Sequence, residues 1–410
     1  MARPSLTIGR SLGTNATIGA TSVALATTMV PVFLVGALST VIGDDLGFDE
    51  AVTGAIVTGF YLAAAVVAMP LGALTERIGA GRAMRGGVLL SAVGCLVAAT
   101  LVTTGWQLAA LMIVLGATLP LVDTGAARAF TTSVPVGRRG MAFGIKEASV
   151  PLASMLAGLS VPLLATTVGW RVAFLGGVVV GPLAVVALRL AVPADRTRLP
   201  ATTGSQDRDD PPAPTRPRGR VSLRRSVRLL AASFALAGAG GAAVVTFLVP
   251  AAVDSGMSGA SAGLTLAVAS AGGIVARLVA GVVADRRPTT LGPLLVTAML
   301  AGAAGTAGLA LRPTGAALVA VALVALTAGW GWTGLGFTAL TQFVPHAPAT
   351  AAGAGILGLA LGGTIGPTLF GQLAARGSYP LGWSVLAAVF FAGAVCAYAG
   401  LRIDRFMAVD

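Results

Sequence analysis

One lysine stands among the 27 basic residues of this 410-residue chain, with one histidine, two cysteines and only 10% charged residues. Each shortage excludes something. A soluble globular chain is about one-quarter charged, so this one lacks the polar surface to cover a soluble fold of its length. Cys95 and Cys396 sit far apart inside apolar runs, which leaves no disulfide framework and no thiolate metal site; both read as small packing residues. The sole histidine, His346, falls in a loop between apolar runs, and there is no H-E-x-x-H, so a metal-dependent enzyme is not indicated and no metal is expected. No G-x-x-x-x-G-K-(S/T) occurs, and the lone lysine, Lys146, lies elsewhere, so the chain alone does not hydrolyse ATP. Residues 1–17 lack the apolar core and cleavage site of a signal peptide and read as a cytoplasmic tail.

Apolar length is what the chain has. Hydrophobic residues make up 56% of it and mean hydropathy is strongly positive. A helix needs about 20 apolar residues to cross a bilayer. Such runs lie near 18–43, 52–74, 84–104, 106–129, 142–166 and 171–192, then near 229–252, 261–284, 290–311, 315–340, 350–374 and 382–404. They are too long for barrel strands. The expected fold is an all-α polytopic membrane protein of twelve transmembrane helices. The 56 glycines and abundant alanine fit helices that pack through close backbone approach. Pro31, Pro120, Pro151 and Pro367 fall inside runs and are expected to kink them.

The arginines set the orientation. With both ends cytoplasmic, 21 fall in inner segments, against Arg171, Arg312 and Arg376 outside. That distribution, following the membrane flanks, argues against nucleic-acid binding despite the net charge of +12. Residues 193–228 are rich in proline and charge and read as a flexible basic linker, able to rest on anionic headgroups. The linker separates a bundle at 18–192 from one at 229–404, followed by a tail at 405–410. The halves echo each other: Gly72, Glu76 and Arg77 match Gly281, Asp285 and Arg286, and Gly169-Trp170 matches Gly382-Trp383. Repeats of this kind place a transport site between the halves.

GALTERIGAGR at 72–82 resembles the loop signature of the major facilitator superfamily, roughly G-x-L-a-D-R-x-G-r, with Glu76 in place of aspartate. ADRR at 284–287, GWR at 169–171 and GGTIGP at 362–367 are similar to members too. GIKEASVPLASMLAG resembles bacterial members carrying G-I-K-Q-(A/S)-x-x-P-L-G on helix 5. There Lys146 matches the lysine and Glu147 replaces a glutamine. Asp123 and Arg128 stand in LPLVDTGAARAF, where such members tend to show N-P-A-T-N-R. The resemblance implies a facilitator fold of two pseudo-symmetric six-helix bundles in a bacterial plasma membrane. It gives gating roles to Gly72, Glu76, Arg77, Arg82, Gly281, Asp285, Arg286, Gly366 and Pro367.

Ionisable groups inside spans mark cavities, pairs or pathways. Arg128 lies level with Lys146 and Glu147 across the hairpin of helices 4 and 5, so Glu147 is expected to pair with Arg128 while Lys146 turns to a central cavity or snorkels to the inner headgroups. Asp123, about 7.5 Å deeper at 1.5 Å per residue, reads either as a proton carrier or as structural, with Glu147 as rival carrier. Arg277 suits capture of a carboxylate, a gate, or a fixed ion pair. Trp330, Trp332 and Tyr61 are candidates to stack on substrate, with packing as the alternative.

The leading expectation is a monomeric secondary transporter of a small organic solute by alternating access, powered by the proton gradient without any cofactor, leaning to uptake of an organic anion. Proton-driven efflux of drug-like compounds is the alternative; the exporter pattern G-x-x-x-G-P-x-x-G-G is absent from helix 5, its nearest match being GGTIGPTLFG on helix 11. A membrane sensor is the remote one.

Overall fold

A computed structural model describes residues 5–135, 139–192, 225–286, 290–343 and 348–407. The expected linker, His346 and the chain termini lie largely outside the described residues, as does the side chain of Asp285. Among the described residues there are helices and no strand.

Among the described residues, twelve helical spans are long and apolar enough to cross a membrane. The first crossing is α1 (Ser5–Ala37), followed by a short α2 (Ser39–Leu46). α3 (Glu50–Ile78) and α4 (Ala80–Thr100) are the second and third. The fourth is broken into α5 (Gly105–Gly116) and α6 (Thr118–Ser133), the fifth is α7 (Arg139–Ser160) and the sixth α8 (Trp170–Ala191). The second half runs α9 (Arg225–Asp254), α10 (Gly259–Arg286), α11 (Leu291–Leu309), α12 (Gly315–Phe343), α13 (Pro348–Ala374) and α14 (Tyr379–Met407).

Two interruptions shape the first half. At Ala117 the fourth crossing breaks because Pro120 has no N–H for the Gly116 carbonyl and its ring crowds it, as expected of that proline. Gly116 itself is pressed against the Phe60 carbonyl of α3, and the Thr118 hydroxyl donates to the Leu115 carbonyl at 2.6 Å. At the end of α7, Val161–Ala165 form a π-helical turn around Pro162, whose missing N–H cannot continue the ladder. Prolines also lie inside α1 (Pro31), α7 (Pro151) and α13 (Pro367), as expected; Pro120 is inside α6.

The turn after α3 needs Gly79, whose φ of 90° suits glycine and whose N–H donates to the Thr75 carbonyl at 2.9 Å. The halves meet along three seams. α1 meets α9 where Gly36 faces Thr246. α3 meets α13 where Gly54 faces the Pro367 carbonyl and Gly371 faces that of Glu50. α7 meets α10 at Gly158 and Gly263. The first two seams lie at the end that the arginine bias assigns to the exterior, where one apolar cluster joins both halves through Val35, Leu38, Phe247, Leu248 and Phe370.

Candidate functional site

Four ionisable side chains from three crossings meet in the interior. Asp123 comes from α6, Lys146 and Glu147 from α7, and Arg277 from α10 of the other half. Lys146 Nζ pairs with Asp123 Oδ1 and lies 2.9 Å from Glu147 Oε1. Arg277 Nη1 donates to the Glu147 carbonyl and lies 3.6 Å from Glu147 Oε2. The two cations are nearly sealed, at 4% and 2% exposure, whereas Asp123 and Glu147 keep 28% and 22%. Two positive and two negative groups balance, as a buried set must, since an unpaired charge in a low dielectric costs several kcal/mol.

α12 completes the cluster. Arg277 Nε donates to the Trp330 carbonyl at 3.2 Å, and its guanidinium sits 5.4 Å from the Trp330 ring. The Trp330 indole donates to the Gly241 carbonyl of α9 at 3.1 Å, so the ring is fixed. On the opposite side Lys146 Nζ lies 5.7 Å from the ring of Phe143, which is 36% exposed and packs edge-on against Phe130. Phe143 was not singled out in the sequence; its place one turn before Glu147 was the available signal.

Three expectations are corrected. Arg128 pairs with Glu76, donating also to its backbone carbonyl at 3.0 Å, and Glu147 pairs with Lys146 and Arg277 instead. Arg128 reaches the Ile78 end of α3, so α6 turns it away from α7. Lys146 neither snorkels nor opens to a cavity: it is 4% exposed and pairs with Asp123 and Glu147. Trp332 lines no cavity: it is fully buried in the second half, its indole donating to the Gly329 carbonyl at 2.7 Å with Phe234 edge-on at 4.8 Å.

The motif residues divide by what surrounds them. Glu76 is tied to Arg128, and Arg82 Nη1 donates to the Ile78 carbonyl at 3.2 Å, while Arg77 and Arg286 are exposed. At Gly72 a side chain would meet only the Thr124 methyl at 3.8 Å, so no close approach depends on that glycine here. Gly281 faces Gly144 across α10 and α7 at ordinary contact distance. Gly366, by contrast, lies so close to the Ala239 carbonyl of α9 that no side chain fits. Tyr61 lays its ring over Gly363 of α13 and packs edge-on against Phe60.

Sequence reading missed the outer closure. The Tyr379 hydroxyl donates to Glu50 Oε1 at 2.9 Å, and the Thr58 hydroxyl lies 2.6 Å from both the Thr364 carbonyl and the Thr368 hydroxyl, all across the halves. Single hydroxyls in apolar runs carry no periodic signal. Within the first half, the Asp45 carboxylate accepts from Trp170 Nε1 at 3.0 Å and Arg171 Nη1 at 2.7 Å, which is the work of the GWR stretch. In the second half Arg312 Nη2 reaches Asp254 Oδ2 at 2.8 Å.

Two six-helix halves closed at one end around a buried ionic cluster define a membrane transporter fold. The family model described as the Major Facilitator Superfamily matches residues 16–367, and the chain belongs to that family. Monocarboxylate transporter 11 of Mus musculus is 32% identical over 338 residues, covering 77% of this chain and 71% of that protein. A chloramphenicol resistance protein of Streptomyces lividans is 28% identical over 347 residues, covering 82% and 83%. Among solved structures, a bacterial homolog to the human lysosomal transporter Spinster, in an inward-facing and occupied conformation, superposes with a TM-score of 0.71. That pair shares 15% identity over 98% of both chains. The family and fold are those of transporters rather than enzymes.

Proposed function

We propose that this protein is a proton-coupled transporter that takes up a small organic anion by alternating access, with the Arg277 guanidinium as the receptor for a carboxylate. The observation that carries the reading is the Glu147–Arg277 pair, which joins the two halves within a balanced cluster. A proton arriving at Glu147 cancels its charge and leaves Arg277 with surplus positive charge in a low-dielectric site. A substrate carboxylate then restores the balance, and the planar guanidinium can hold it through two parallel hydrogen bonds. Asp123 holds Lys146 charged during this exchange. Trp330 and Tyr61 supply apolar surface for the rest of the solute. The likeness to a monocarboxylate transporter supports the choice of solute. Glu76, Arg77, Arg82, Arg128, Gly281 and Arg286 act at the cytoplasmic gate. The protein works as a monomer in the bacterial plasma membrane, both termini cytoplasmic, and needs no cofactor beyond the proton gradient.

A second reading, proton-driven efflux of drug-like compounds, is favoured by the likeness to a chloramphenicol resistance protein over most of both chains. Proteoliposomes carrying a pH gradient separate the two. Uptake of radiolabelled small carboxylates that is abolished by Arg277→Ala and by Lys146→Ala supports the anion reading. Transport of chloramphenicol alone, indifferent to both changes, overturns it.

A further inference from the structure

A cavity of about 550 Å³ lies outside the ionic cluster, between the exterior ends of α10 and α12 and beneath the turn at Gly256. Its walls are Met257, Leu264, Val268 and Val319, and its floor is Thr265 and Leu318, both nearly fully buried. The floor offers no free polar group: the Thr265 hydroxyl donates to the Ser261 carbonyl at 2.9 Å and lies 3.8 Å from Met257 Sδ. The other hydroxyl side chains of the lining, Ser255, Ser261 and Thr314, stand at or near helix ends and form its rim.

The direction in which the cavity opens follows from α10 itself. Leu264, Val268, Val275 and Val279 are 46, 49, 60 and 54% exposed, at spacings of four, seven and four, so they form one stripe along the whole crossing. The opposite face carries Gly263, Ser270 and Arg277, which pack on α7 of the other half. The stripe is therefore the lipid-facing flank, and two of its members are cavity walls. Leu264 and Val268 lie five and nine residues into the crossing, about 8–14 Å from its start at 1.5 Å per residue, which is the depth of acyl chains rather than headgroups.

From this we infer that the cavity is a binding site for one acyl chain of a phospholipid in the outer leaflet, with the headgroup resting on the hydroxyl rim. Water has no partners on the apolar floor, and a concave wall left empty forfeits the dispersion contacts that a chain supplies. Met257, an unbranched thioether at the mouth, can adjust to the chain.

Phospholipids carrying a photoreactive diazirine on the upper acyl chain test this in proteoliposomes of the intact protein, read by peptide mass spectrometry. Leu175 and Val179 are the reference, because they lie five and nine residues into α8, at the same depth on an open lipid-facing surface, and are 39 and 64% exposed. The expected result is a several-fold excess of adducts at Leu264, Val268 and Val319 over Leu175 and Val179. Filling the cavity with Leu264→Trp, or independently Val319→Phe, removes that excess at Val268 and leaves the reference unchanged. Equal labelling at both depth-matched sets overturns the inference. So does an excess that survives filling, or one that is competed away by a water-soluble carboxylate. None of these outcomes depends on which solute the ionic cluster carries.

Discussion

Gly36→Ala tests whether the outer closure is a seam between the two halves. A methyl at Gly36 would stand 2.8 Å from Thr246 Cα and 3.0 Å from its carbonyl oxygen. Both are backbone atoms, so no rotamer change relieves the clash, and ordinary contact begins near 3.4 Å. α1 and α9 must then separate by about half an ångström where they touch, and overpacking of this sort costs about 1–3 kcal/mol. Because the two helices belong to different halves, that cost falls on the closed arrangement and is relieved when the outer end opens. The equilibrium shifts toward opening by about 5- to 150-fold. The assay uses a protein with Cys95 and Cys396 replaced by alanine and Thr58→Cys as the reporter. The rate of labelling by a membrane-impermeant maleimide added from outside is compared with and without Gly36→Ala. The expected rate rises by that factor, while Gly305→Ala, which meets Ala325 N at 2.5 Å inside one half, lowers the melting temperature without changing the rate. An unchanged rate in Gly36→Ala, with the protein folded, refutes the reasoning.

Removing one partner of the buried cluster leaves the other unpaired, so Arg277→Met is expected to lower stability by about 3–5 kcal/mol. Arg277→Met with Glu147→Gln recovers much of that loss without recovering transport, and chemical denaturation beside counterflow reads both. Trp330→Phe removes the indole bond to Gly241 and weakens the contact beside Arg277, so substrate affinity falls several-fold. Trp332→Phe leaves affinity unchanged and lowers only the melting temperature. Asp45 gives the pH prediction. Hydrogen bonds from Arg171 and Trp170 hold its carboxyl below the ordinary 3.8. A lowered folded value means that the stabilisation is present at neutral pH and is lost as pH falls below about 4. Melting temperatures of the native protein and Asp45→Asn should differ above that pH and converge below it, the gap being small because both partners are partly exposed.

The twelve crossings were legible because a bilayer imposes a length on apolar runs that little else produces. Arg277 stood out for a related reason: an arginine nine residues from the end of its helix at Arg286 cannot easily reach water along that helix. The partners of the charges were not. Equal depth paired Glu147 with Arg128, but depth says nothing of rotation, and α6 turns Arg128 toward Glu76 of α3. For Trp332 the packing alternative holds, since residues two apart point to different sides of a helix and only one of Trp330 and Trp332 can face Arg277. GGTIGP was marked for gating, yet Gly366 is pressed on α9 within its own half. Gly363, Thr364 and Pro367 of that stretch touch the other half, through Tyr61, Thr58 and Gly54.

The seams are unequal in length. α7 and α10 meet at Gly158 with Gly263, at Ser154 with Ser270, at Pro151 with Gly273, at Glu147 with Arg277 and at Gly144 with Gly281, rung after rung down the crossing. The described rungs between α3 and α13 run from Glu50 to Tyr61, although α3 continues to Ile78. A pair of leaves fastened along one whole edge and along only the upper part of the other turns like a book about its spine. The gap widens first on the side away from the spine, beside the lower stretch of α3. That opening would run beside Met69 and Leu74, with the ionic rung at Glu147 and Arg277 staying on the spine.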